Sequence, residues 1–348
     1  MTDVTSMTEP AIPTTLEEAT SASWLSSVLG SDVASVAVGD VDNRVSTNAP
    51  VHVELADGTS RDLWIKGYFN EIGRFARYAG IPEAMFYRSL APATGIRTLE
   101  AVFAAADAET QENVVVTRDV LGDGAVFLDS LSPYSVDQAA ESLSQLAQLH
   151  ASTWLAPIGE SAPWLATRLD SYTVQRGVAE IAQNFAGPIG AGVPESVRDA
   201  QRLFDAHRAL GVAAADATPW CVIHGDPHIG NVYLDGEGRP SFLDWQLVQR
   251  GPWYLDVGYH LASSLTVADR RAHEADLVRH YLDRLRSLGV DDVGADDAAV
   301  WRGLRRGMVH GFYLWGITLK VDPRKTTVLL ERLGTAVDDH DAFAEVGV

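Results

Sequence analysis

A carboxylate, an amide and two imidazoles fall within eight residues in His224-Gly-Asp226-Pro-His228-Ile-Gly-Asn231, and a second carboxylate follows in Phe242-Leu-Asp244-Trp245. An aspartate held in a cleft can take the proton of an incoming hydroxyl. An amide oxygen and a carboxylate on neighbouring strands can share a hard cation. Magnesium suits such a pair, because it takes a few protein oxygens and completes its shell with water and phosphate. If the turn centres between Glu237 and Gly238, Asn231 and Asp244 stand directly opposite, with Cβ atoms roughly 5 Å apart. A second chemistry fits the same loop: His224-x-Asp226-x-His228 has the composition of a transition-metal site, as a metal-dependent hydrolase would need.

Two apolar strands must carry that loop, Trp220-Cys-Val-Ile before it and Val232-Tyr-Leu after it. A loop between buried strands is a place where functional side chains are held rigidly. Upstream, the pattern is mostly alternating. A helix over Leu16–Leu29, with Thr15 and Glu18 forming a capping box, is followed by strands at Val33–Val38, Val51–Leu55 and Leu63–Lys66. Asp57-Gly58 marks the hairpin between the last two. A helix over Pro82–Leu90 precedes strands at Leu99–Ala105 and Asn113–Thr117. Past Asp119 the period becomes helical, with helices expected over Asp137–Trp154, Glu195–Leu210, Asp269–Leu288, Asp297–Leu319 and Thr326–Phe343. The expected class is α+β in two lobes. An antiparallel sheet with one helix forms the first, over 14–119. A mainly helical lobe with a small β-hairpin forms the second, over 120–348. Residues 1–13 read as a disordered leader.

The chain has 348 residues and a formal net charge of −20. That field repels phosphate backbones, so no nucleic-acid partner is expected. A single cysteine, Cys221, allows neither an internal disulfide nor a cysteine-based zinc site. No signal peptide and no apolar run near the ~20 residues of a membrane span are evident. A cytoplasmic protein is expected. Nothing in the sequence sets an oligomeric state.

His-x-Asp with asparagine five residues beyond the aspartate, then a later metal-binding aspartate, is the pattern of a phosphoryl-transfer loop. Together with Leu243-Asp-Trp-Gln, it resembles the aminoglycoside phosphotransferase and choline kinase superfamily. Trp245-Gln246 and Gly251-Pro-Trp-Tyr-Leu-Asp-Val-Gly-Tyr259 are most similar to its ecdysteroid-kinase-like bacterial branch. The resemblance implies a protein-kinase-like fold and transfer of a phosphoryl group from ATP, or another nucleoside triphosphate, to a small-molecule alcohol. Asp226 would be the catalytic base, with Asn231 and Asp244 holding magnesium. A non-catalytic nucleotide-binding relative is the alternative within the same fold, and the intact Asp226, Asn231 and Asp244 argue against it.

The resemblance also assigns Lys66 to the nucleotide phosphates and Glu83 to its ion pair. The segment Val41–Val51 lacks the glycines common over the phosphates, and Ser46, Thr47 and Asn48 would supply donors instead. His224, His228 and Asp256 are expected to support the loop, although a helix N-cap near Val257 would equally explain Asp256. His150 and Trp154 share a helix face, with core packing the expected role for both. Trp245, Trp253, His310 and Trp315 are candidates for the substrate pocket, favouring an apolar or ring-bearing alcohol.

Overall fold

A computed structural model of the chain describes residues 10–156, 162–215, 217–294 and 296–348. The described residues fall into two units, one running to Pro92 and including Leu99–Gly122, the other made of Ala93–Thr98 and those described after Gly122. The class is α+β, an antiparallel sheet in the first unit and a mainly helical second unit.

The sheet comprises β1 (Val33–Val38), β2 (Asp42–Asn43), β3 (Thr47–Leu55), β4 (Ser60–Gly67), β5 (Ala101–Ala106) and β6 (Asn113–Arg118). Its order is β1-β3-β4-β6-β5, with β2 beside β3 and every pairing antiparallel. Along β3 the residues Thr47, Ala49, Val51, Val53 and Leu55 are buried in strict alternation. Val51, Val53 and Leu55 pack with Trp24, Leu25, Leu63, Ile65, Val114 and Val116. The opposite face of β3 and β4 carries Asn48 and Lys66 as direct register partners.

Two helical expectations change here. The helix over Leu16–Leu29 is two helices, Leu16–Ala19 and Ala22–Leu29, because the Ser21 hydroxyl accepts the Trp24 N–H at 3.2 Å and starts a new one. The Glu18 carboxylate caps Thr14 N–H at 2.8 Å, one residue earlier than expected. The helix placed over Pro82–Leu90 belongs to a longer run: Glu71–Ala76, a 3₁₀ turn at Arg77–Gly80, Ile81–Met85, π turns at Phe86–Leu90, then Ala91–Thr94. Of the proposed leader, residues 1–9 lie outside the described residues. By Ala11 the chain is part of the fold, since its carbonyl accepts the Trp24 indole N–H at 2.7 Å and Ile12 packs on the core.

The second unit begins with residues that precede the last strands of the sheet. Arg97 N–H donates to Gln145 at 2.9 Å, its guanidinium pairs with Glu141 at 2.6 Å, and Thr98 bridges Phe242. Long helices follow at Val136–Ser152, Ala200–Ala215, Tyr254–Ser264, Val267–Ser287, Asp297–Gly316 and Pro323–Asp339. The helix Tyr254–Ser264 starts earlier than the expected Val257. It crosses Asp297–Gly316 where glycine meets glycine. A Cβ on Gly258 would lie 2.2 Å from the Leu304 carbonyl, and one on Gly307 would lie 2.3 Å from that of Tyr254. This close approach sets Asp256, Tyr259 and His310 on adjoining surfaces.

Short strands complete the unit. β7 (Val126–Phe127), β9 (Val232–Leu234) and β10 (Pro240–Phe242) form one sheet in the order β10-β9-β7, and β8 (Cys221–Ile223) pairs with β11 (Gln249–Gly251). The β9–β10 register differs from expectation by one residue. Val232 faces Phe242, and Leu243 N–H donates to the Asn231 carbonyl at 3.0 Å, so Asn231 is opposite Leu243 rather than Asp244. The loop has three residues, Gly236 to Gly238, with Gly238 left-handed and the Asp235 carboxylate accepting from Glu237 and Arg239 N–H groups. Among the described residues no helix is long and apolar enough to cross a membrane.

Candidate functional site

The segment from His224 to Pro227 is held at nearly every backbone group. Gly225 has φ +81°, and a Cβ there would sit 2.3 Å from the Leu247 carbonyl, so glycine is required. The buried Asp256 carboxylate accepts the N–H groups of His224 at 2.7 Å and Gly225 at 2.9 Å. His150 Nε2 adds a contact at 3.2 Å, and its Nδ1 meets the Tyr281 hydroxyl at 2.8 Å. Burial alone would raise the Asp256 carboxyl; the His150 bond, the neighbouring imidazoles and the Gly225 N–H hold it below its ordinary value. Asp256 is therefore an anchor inside a helix and not an N-cap.

Carbonyls are satisfied from the other side. His310 Nε2 donates to the Gly225 carbonyl at 3.1 Å, and its Nδ1 accepts from His207 Nε2 at 3.2 Å. A carbonyl can only accept, which fixes both tautomers. Burial pushes both rings below the usual histidine value, so they are neutral. His260 Nδ1 donates to the Pro227 carbonyl at 2.6 Å, and its Nε2 accepts from the Ser142 hydroxyl at 2.6 Å. Burial takes its pKa down to about 4.

Asp226 stands at the centre. The Asn231 amide nitrogen donates to its carbonyl at 2.8 Å and to Oδ2 at 3.2 Å, while the Tyr259 hydroxyl donates to Oδ1 at 2.8 Å. With its nitrogen committed to Asp226, Asn231 offers its carboxamide oxygen to a cation. Asp244 follows β10 in a left-handed conformation, φ +62°, which turns its side chain out of the strand's alternation. The carboxylates of Asp226 and Asp244 both act on His228. An amide oxygen and a carboxylate are donors that magnesium accepts, so the residues present fit that ion.

The hydrolase alternative is not supported. His224 donates through Nε2 to the Leu243 carbonyl at 3.0 Å and accepts the Asp226 N–H on Nδ1 at 3.3 Å, leaving no ring nitrogen for a metal. His228 Nδ1 accepts from Gly230 N–H at 2.9 Å, and its Nε2 lies 3.7 Å from Asp226 Oδ2. Burial outweighs both carboxylates and lowers the His228 pKa, so that contact is not an ion pair. Among the described residues, no group of three histidine, cysteine or acidic side chains is placed to hold a metal.

In the first unit, Lys66 Nζ meets Glu83 Oε2 at 2.7 Å, with the Glu83 side chain only 4% exposed. Asn48 shares the sheet face of Lys66, and its amide donates to Ser46 Oγ at 3.2 Å. Thr47 does not join them. Strand alternation turns it to the buried face, where its hydroxyl donates to Asn43 at 2.8 Å and accepts from Asn70 at 3.1 Å.

All four substrate candidates are buried in the second unit. Trp245 is fully buried, donates to Thr98 Oγ1 at 2.9 Å and lies 4.4 Å from the His224 ring. Trp253 stacks on Tyr281, and His310 serves the loop backbone. Trp315 does reach the loop, its ring edge-on to His228 at 5.0 Å. The sequence reading missed Tyr259, His260 and His207. Tyr259 had a signal: it lies three residues past Asp256, hence on the same face of one helix.

A family model described as "Phosphotransferase enzyme family" matches residues 82–291. No curated protein matches the sequence significantly. Among solved structures, the chain is similar to a macrolide 2'-phosphotransferase from Brachybacterium faecium, at 15% identity and a TM-score of 0.47, covering 88% of this chain and 96% of that one. It is similar to a choline kinase from Streptococcus pneumoniae, at 16% identity and a TM-score of 0.45, covering 91% and 96%. A spectinomycin phosphotransferase solved with ADP and its antibiotic gives 11% identity and a TM-score of 0.49, covering 91% and 97%.

Proposed function

Because the chain belongs to the phosphotransferase enzyme family, whose model matches more than half of it, we propose that it transfers the γ-phosphoryl group of ATP, with magnesium, to the hydroxyl of a small molecule. The observation that carries this reading is the bond between Asn231 and Asp226. It supports a reading in which a proton acceptor and a cation ligand would act as one unit. The Asp244-Trp-Gln and Gly251–Tyr259 segments support the ecdysteroid-kinase-like branch of the family.

Asn231 and Asp244 would hold magnesium, which when bound neutralises phosphate charge. Lys66, oriented by Glu83, would bind the nucleotide phosphates as a cation. Asp226 aligns the alcohol and takes its proton late, since a loose transition state needs positioning more than a strong base. Trp315 is the remaining aromatic candidate beside the acceptor, favouring an apolar or ring-bearing alcohol. Nucleic acid is not a proposed partner. A screen of hydroxylated compounds with ATP and magnesium, read as ADP release, tests the reading. Release that requires both magnesium and a particular alcohol supports it.

A further inference from the structure

Asp226 is bonded at both ends of its carboxylate, and the two bonds are unequal. The Tyr259 hydroxyl sits 2.8 Å from Oδ1, and the Asn231 amide sits 3.2 Å from Oδ2. The terminal torsion of an aspartate is broad and roughly two-fold, so by itself it presents either oxygen. A firm donor at one end removes that freedom. Tyr259 is itself fixed: it is fully buried, its ring is edge-on to His310 at 5.8 Å, and its helix is locked through Gly258. Burial first, and the Asp226 charge next, keep the phenol proton in place well beyond its ordinary pKa. The hydroxyl is therefore a standing donor.

We propose that Tyr259 is a positioning residue for phosphoryl transfer, tying Oδ1 of Asp226 so that Oδ2 is the oxygen presented to the incoming hydroxyl. This rests on the assignment of Asp226 as the base. In the step, the acceptor oxygen forms a bond to the γ-phosphorus. The bond from that phosphorus to the β–γ bridging oxygen breaks, and its electron pair leaves on ADP. The hydroxyl proton passes to Oδ2 of Asp226. Loss of the phenol hydroxyl frees the carboxylate to rotate and slows this step, while nucleotide binding does not depend on it.

The test compares full-length wild type, Tyr259→Phe and Asp226→Ala with MgATP, read as ADP release, first with water as acceptor and then with a panel of alcohols. Tyr259→Phe keeps the ring, so its melting temperature controls for packing. The expected result is a fall in kcat of about 10- to 100-fold, the cost of misplacing a reacting group, with the KM for MgATP within about twofold. Wild-type kcat in Tyr259→Phe overturns the inference, as does a loss that appears only in KM. Failure of the underlying reading has a different pattern: no ADP release from wild type with any acceptor, or Asp226→Ala as active as wild type. Either result removes the base assignment and this inference with it.

Discussion

The Asn231 amide nitrogen donates to both the carbonyl and the carboxylate of Asp226, at 2.8 and 3.2 Å, so the proposed magnesium ligand and the proposed base are hydrogen-bonded to each other. Disturbing one disturbs both. Asn231→Ala is expected to lower kcat by at least about 100-fold, in the range of general-base losses, and to raise the magnesium concentration that gives half-maximal rate. A magnesium titration of ADP release measures both. A rate loss with an unchanged magnesium requirement would remove Asn231 from the cation site.

Asp256 has a structural rather than chemical task. Asp256→Ala leaves the N–H groups of His224 and Gly225 buried without their acceptor, and strips His150 Nε2 of its partner. Losing one member of such a buried charged network costs about 3–5 kcal/mol. Denaturant unfolding should show that loss, with Asp256→Asn intermediate because one amide oxygen still accepts. A difference under 1 kcal/mol for Asp256→Ala would contradict the anchor role.

Acid should destabilise the fold through its buried histidines. His260 is neutral when folded down to about pH 4 but titrates near 6.5 when unfolded. Between those values the unfolded chain binds more protons. Stability is therefore complete above pH 6.5 and lost as pH falls toward 4. His207 and His310 shift in the same direction. At about 1.4 kcal/mol per pKa unit, His260 alone accounts for about 3 kcal/mol across that window. Melting temperature against pH is the measurement. His260→Gln, less stable at neutrality, should show a shallower fall, and a flat wild-type profile from 6.5 to 4 would falsify the account.

Lys66 and Glu83 should divide the cost of nucleotide binding unequally. Lys66→Ala removes a charged hydrogen bond to phosphate, about 1.5–3 kcal/mol, and should raise the KM for MgATP about 10- to 100-fold. Glu83→Gln leaves the lysine present but unoriented and should produce the smaller rise. Equal KM values in wild type and Lys66→Ala would place the phosphates elsewhere.

Much of this arrangement was legible because its chemistry is dense. Asp226 and Asn231, five residues apart, do meet, and the Lys66–Glu83 ion pair expected from the resemblance forms. The spacing of Asn231 and Asp244, by contrast, did not set them opposite each other. What escaped the sequence was geometry set by conformation. The hairpin register moved by one residue because Asp235 and a left-handed Gly238 close a three-residue loop, which no strand period encodes. Thr47 was grouped with Ser46 and Asn48 by adjacency, yet adjacent strand residues face opposite ways. Trp245 and Trp253 suggested a pocket by type, whereas burial decides their role. Tyr259 was obscured because the helix start was placed near Val257, which hid its face-sharing with Asp256.

The most direct test of the central claim is transfer of labelled phosphate from [γ-³²P]ATP to an alcohol by wild type and Asp226→Ala, with nucleotide affinity measured alongside. The account predicts magnesium-dependent labelling by wild type, a loss of about 10²- to 10⁴-fold in Asp226→Ala, and nearly equal nucleotide affinity. Full labelling by Asp226→Ala would contradict it.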